Sequence, residues 1–104
     1  MFLYPNSRKV AAQKILSRFP EARPQEVDLN TIDLKSAGHS QQVQQQLACH
    51  LLWMLEGISQ MSFERSAKAG RWLGWVFAYM EVMGITTNED SRNMSRVDAH
   101  NGND

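Results

Sequence analysis

Cysteine is nearly absent: Cys49 is the only one in 104 residues, so no internal disulfide can form. A reducing compartment, the cytoplasm, is the expected setting. Charge of one sign is lacking too, since Lys+Arg and Asp+Glu each number 11 and cancel. The strongly basic field expected of a nucleic-acid-binding protein is therefore missing. No apolar run reaches the roughly 20 residues of a membrane span, and the most apolar window, residues 72–83, contains Glu81. The opening MFLYPNSRKV turns polar at Pro5, Asn6 and Arg8, too soon for the apolar stretch of a signal peptide. What is present is a hydrophobic content of 42%, enough for one small globular domain. That domain is expected over residues 1–97, with a flexible tail over 98–104, where nothing apolar follows Ala99.

Helical spacing organises the apolar residues. A first helix is predicted at about Asn6 to Arg18, with Asn6 and Ser7 as candidate caps and Ala11, Ala12, Ile15, Leu16 and Phe19 on one side. Pro20 stops it. Residues 20–37 carry two prolines and scattered anchors, Val27, Leu29, Ile32 and Leu34, and read as a connector packed on the core with at most one short helical turn. A second helix runs from Ser40 to about Met61, where Val43, Leu47, Leu51, Met54, Leu55, Ile58 and Met61 form one stripe. Its Gln-rich opening, Gln41 to Gln46, reads as a solvated helical start. A third begins at Ser62 or Phe63, ends at Met83 and is closed by Gly84. Ala69, Trp72, Leu73, Val76, Phe77, Met80 and Met83 make its main apolar face, which Trp75, Tyr79 and Val82 widen. Opposite them Gly70, Gly74 and Ala78 leave a strip without bulk, suited to close approach of another backbone within the chain. A short fourth helix is expected after Thr86 or Thr87, with Glu89 and Asp90 in its first turn and Met94 and Val97 as anchors. The sum is an all-α bundle of three to four helices around a central antiparallel hairpin of the second and third.

The stretch RWLGWVFAYMEVMGITTNEDSRNMSR, residues 71–96 and about a quarter of the chain, resembles the C-terminal end of small, uncharacterised helical proteins of tailed phages and prophages. Those end in an RWLGF-type helix, a glycine corner and a short acidic-then-basic helix. On that resemblance Arg71, Trp72, Leu73 and Gly74 open the pattern, Gly84 is the corner, and Glu89, Asp90, Arg92 and Arg96 belong to the final helix. It implies a mobile-element origin and an accessory role, binding a host or phage protein, but no particular target; the expected function is that of an inhibitor or adaptor of a host or phage protein, host defence systems included.

Catalytic chemistry finds little to stand on. Cys49 and His50 are adjacent, so on a helix they point about 100° apart and cannot act as nucleophile and base; they read as a partly buried thiol and a surface histidine. His39, Cys49, His50 and His100 follow no metal-ligand spacing, and no glycine loop suits a phosphate. The carboxylates Asp28, Asp33, Glu56, Glu81, Glu89 and Asp90 each have a solvated or capping explanation. No enzyme, metal or cofactor is expected.

Protein binding suits the remaining features. Trp53 falls on the otherwise polar side of the second helix, so it lies near the surface unless Phe2 to Tyr4 or the connector covers it. Trp75 and Tyr79 raise the same question on the third. Trp, Tyr and Arg are over-represented at binding hot spots. Trp53, Trp75 and Tyr79, with Arg71 at the rim, are therefore the candidate contact residues for another protein or a second copy of the chain. The alternative is nucleic acid held by Arg8 and Lys14 on the first helix and Arg65 and Lys68 on the third, although Lys and Arg are also usual on helix flanks.

Overall fold

A computed structural model describes residues 3–86. The expected fourth helix and the tail lie outside them. Among the described residues the fold is all-helical, with α1 at Pro5–Arg18, α2 at Gln41–Ser59, α3 at Ser66–Val82 and three short 3-10 turns.

α1 starts one residue earlier than predicted, because Pro5 occupies its first turn, where a missing N–H costs nothing and the fixed φ suits a helix. The cap position falls to Tyr4, in the left-handed region at φ 51, with no side-chain cap bond. Neither Asn6 nor Ser7 takes that place. Ser7, Ala11, Ile15 and Phe19 follow one another at four-residue steps and are buried. The small members at the start of this row let α1 lie close to its neighbours. Leu16, predicted to face inward, is 38% exposed, since it sits a third of a turn away from the row that docks. The helix ends ahead of Pro20 with the Phe19 N–H donating to the Ile15 carbonyl.

The connector makes two 3-10 turns where at most one was expected, Leu29–Thr31 and Leu34–Ser36. Asp28 and Asp33 start them by accepting the backbone N–H groups of Asn30 and Lys35. Ala22, Ile32 and Ala37 are its buried anchors.

α2 keeps its predicted cap, with the Ser40 hydroxyl accepting from the Val43 N–H. Leu47, Leu51 and Ile58 are fully enclosed, each contributing about 1.5–3 kcal/mol of burial. Gln44 departs from the solvated Gln run: it is buried, and its amide donates to the Ala37 carbonyl, tying the connector to α2.

α3 begins later than predicted, because Phe63–Arg65 forms a 3-10 turn and Phe63 is 63% exposed. Its end follows the sequence. Gly84 has φ 76, the Ile85 N–H donates to Met80 and the Gly84 N–H to Glu81, so the last carbonyls are satisfied by a left-handed glycine closure. Arg18 of α1 reaches the same end and donates to the Met83 carbonyl at 2.7 Å. Leu73, Val76, Phe77, Met80 and Met83 are buried as predicted, whereas Val82, expected to widen that face, is 51% exposed. The small-residue strip splits. A Cβ on Gly70 would lie 3.1 Å from the Tyr4 hydroxyl, an intrachain contact, but one on Gly74 would meet nothing within 4 Å and Ala78 is exposed.

Candidate functional site

Along α2, His50, Trp53 and Gly57 recur at three- and four-residue steps; along α3, Lys68, Trp72, Trp75 and Tyr79 do the same. These two rows meet. Trp53 lies 5.6 Å from Trp72 between ring centroids, His50 lies 5.3 Å from Trp53 and 5.9 Å from Trp75, and Trp75 lies 4.3 Å from Tyr79. Gly57 makes room for the series, since a Cβ there would come within 3.0 Å of the Trp72 ring. The Lys68 ammonium lies 5.3 Å above the Trp72 ring, within cation–π range.

Trp53, Trp72, Trp75 and Tyr79 are half-buried, their inner parts packed on the core, and Arg71 is exposed. A hollow of about 340 Å³ opens among Leu29, His50, Trp53, Met54, Arg71, Trp72 and Trp75. The connector thus lines the Trp53 site through Leu29 without sealing it. Trp53, Trp75 and Arg71 share this hollow, and Tyr79 joins it by its contact with Trp75.

His50 corrects the expectation of a surface side chain: it is 7% exposed. Its Nδ1 accepts the Val27 N–H at 3.1 Å, and one residue earlier the Cys49 carbonyl accepts the Gln25 N–H. Two connector amides are thereby satisfied by α2, as burial of backbone requires. Burial lowers the His50 pKa from 6.5, with the nearby Glu26 carboxylate opposing in the smaller degree. The ring is neutral near pH 7, and because Nδ1 accepts, Nε2 carries the proton.

No family model, curated protein or solved structure matches this chain.

His50 and Trp72 are the members that the sequence reading did not place here. Their signal was the spacing, which sets each in register with a Trp already singled out. Cys49 is half-buried, and among the described residues no hydrogen bond joins its thiol to His50. No group of three His, Cys, Asp or Glu side chains among the described residues is arranged to hold a metal ion. No helix among them is long and apolar enough to cross a membrane.

The alternative basic set is distributed over three places. Arg8 lines a hollow of about 430 Å³ between α1, α2 and the connector, and donates from Nε to the Leu3 carbonyl. Lys14 lies with Arg18 beside Gly84 and Ile85. Arg65 and Lys68 border a third hollow that they share with Trp72.

Proposed function

We propose that this chain is a non-catalytic binding protein that docks another protein, or a second copy of itself, on the aromatic seam of α2 and α3. The observation that supports this reading most is a run of four half-buried rings, Trp53, Trp72, Trp75 and Tyr79, beside an exposed Arg71. Such rings supply large contact area with few rotatable bonds, the chemistry of hot spots. The reading includes a central antiparallel α2–α3 hairpin. In its favour, the ring pairs run in opposite senses along the two helices: Gly57 and Trp53 meet Trp72, and His50 meets Trp75. An inhibitor or adaptor of mobile-element origin is the role suggested by the resemblance of residues 71–96, and rests on that resemblance alone; a cytoplasmic setting rests on the single cysteine.

The test is capture of a binding partner by the immobilised chain and by two variants. Trp53→Ala should weaken binding by about 2 kcal/mol or more, a larger effect than it has on unfolding. Arg71→Ala should weaken binding while leaving the melting temperature in place, because Arg71 is exposed. Undiminished binding by both variants would remove the aromatic seam from consideration. Retention of a single strand or duplex at about 50 mM salt, lost on Arg65→Ala or Lys68→Ala, would favour nucleic acid instead.

A further inference from the structure

We infer that the partner presents an acidic segment to this seam: an aromatic or aliphatic side chain flanked by carboxylates. The inference rests on the docking function proposed above and adds what the docked protein must offer. Two hollows adjoin at Trp72, one of about 340 Å³ bordered by Arg71 and one of about 360 Å³ bordered by Arg65 and Lys68. Neither contains a carboxylate in its lining. None of the three cations has an ion-pair partner among the described residues, and the contact of Lys68 is with the Trp72 ring. In a chain of zero net charge, three cations spaced three residues apart beside the half-buried rings, with no ion pair among the described residues, are a local excess. Glu26 is near enough to act on His50 but does not line either hollow.

The hydrogen-bonding inventory points the same way. Arg and Trp side chains donate and do not accept. His50 has already used Nδ1 as acceptor for Val27, so only the Nε2 proton is left to offer. Among the described residues no fully buried side-chain nitrogen or oxygen lacks a partner, and none hydrogen-bonds the indoles or His50 Nε2, so these N–H groups are not fully enclosed. Apart from the weak Met54 thioether, the polar side chains of the first hollow, His50, Trp53, Arg71, Trp72 and Trp75, have only donors left to offer. An occupant must bring acceptors, negative charge and an apolar body. A basic partner would meet like charge at Arg65, Lys68 and Arg71, with only the uncharged side-chain acceptors Gln60 and Ser62 of the second hollow to set against it.

Phosphates are acceptors as well, but a single strand also needs free ring faces on which bases can stack. Here Trp75 packs on Tyr79, Trp53 on Trp72, and Lys68 covers Trp72. Carboxylates beside an apolar side chain fit the seam better.

Selection of a random displayed 12-residue peptide library on the full chain tests this, with Lys68→Glu/Arg71→Glu and Trp53→Ala as parallel baits, each checked for helicity, and a random 20-nucleotide single strand as competitor. The expected result is enrichment of Asp and Glu next to Trp, Phe or Leu, with at least tenfold weaker binding of the best peptide to the charge-reversed variant and no displacement by the strand. Enriched peptides that are uncharged or basic, yet lost on Trp53→Ala, would overturn the acidic partner and leave the docking function standing. Displacement by the strand, or no enrichment at all, would overturn both.

Discussion

His50 is the residue on which the connector and the aromatic seam depend together. Its ring lies tilted by 31° against Trp53 and T-shaped at 71° to Trp75, and its Nδ1 holds the Val27 N–H. Protonation would turn that acceptor into a donor facing a donor. Because burial lowers its pKa in the folded chain, the unfolded chain takes up the proton first as pH falls. The stability due to the neutral ring is therefore complete above pH 6.5 and is lost progressively as pH drops from there through the lowered folded value. Asn can place an acceptor close to the position of Nδ1 without titrating. We expect His50→Asn to melt less steeply with falling pH than the parent between pH 7 and 5, and His50→Ala to lose about 1–3 kcal/mol at pH 7 by leaving the Val27 N–H without its acceptor. Parallel melting-temperature profiles for the parent and His50→Asn would show that the ring does not report pH in this way.

At the level of the helices, two glycines with the same propensity cost should respond oppositely. Replacing an exposed helical glycine by alanine stabilises by about 1 kcal/mol. Gly74→Ala adds a methyl with nothing within 4 Å, so its melting temperature should rise by about 4–8 °C. Gly57→Ala drives a methyl to 3.0 Å from the Trp72 ring, which is itself held against Trp53. Overpacking of about 1–3 kcal/mol then outweighs the propensity gain, and the melting temperature should fall with a change in tryptophan emission. Equal shifts in the two variants would mean that Gly57 does not set the approach of Trp72. The difference is invisible in the sequence, where Gly57 and Gly74 are both glycines within a helical pattern. What was legible there is local in origin: the Ser40 cap, the stripe from Leu47 to Ile58, the stop before Pro20 and the closure at Gly84 each depend on residues a turn or two away. Burial of His50 and Gln44 was not, because each answers a backbone group of the connector, brought near only when the chain closes. The left-handed Tyr4 is of the same kind, its hydroxyl lying beside Gly70 of α3. Trp53, Trp75, Tyr79 and Arg71 were legible as a group, since their helical phases left them off the main stripe, but the part of the connector that lines their hollow was not.

For the molecule as a whole, the same cations that recommend an acidic partner bear on self-association. In a two-fold dimer a patch meets its own copy. If the seam were that patch, Arg65, Lys68 and Arg71 would face the same three residues of the partner across a surface whose hollows contain no carboxylate. Like charges placed together in an interface cost several kcal/mol, set against the burial of the rings. Salt weakens this repulsion, since the Debye length falls from about 10 Å at 0.1 M to about 3 Å at 1 M, while it leaves the apolar contribution in place. Sedimentation at a fixed protein concentration should therefore find the chain monomeric at about 50 mM salt, with any dimer growing as salt is added. Arg71→Glu should shift that growth to lower salt, because reversing one charge lets it meet Arg65 or Lys68 of the other copy. A dimer strongest at low salt and dispersed by added salt would have opposite charges at its centre, and the seam of α2 and α3 could not be where it forms.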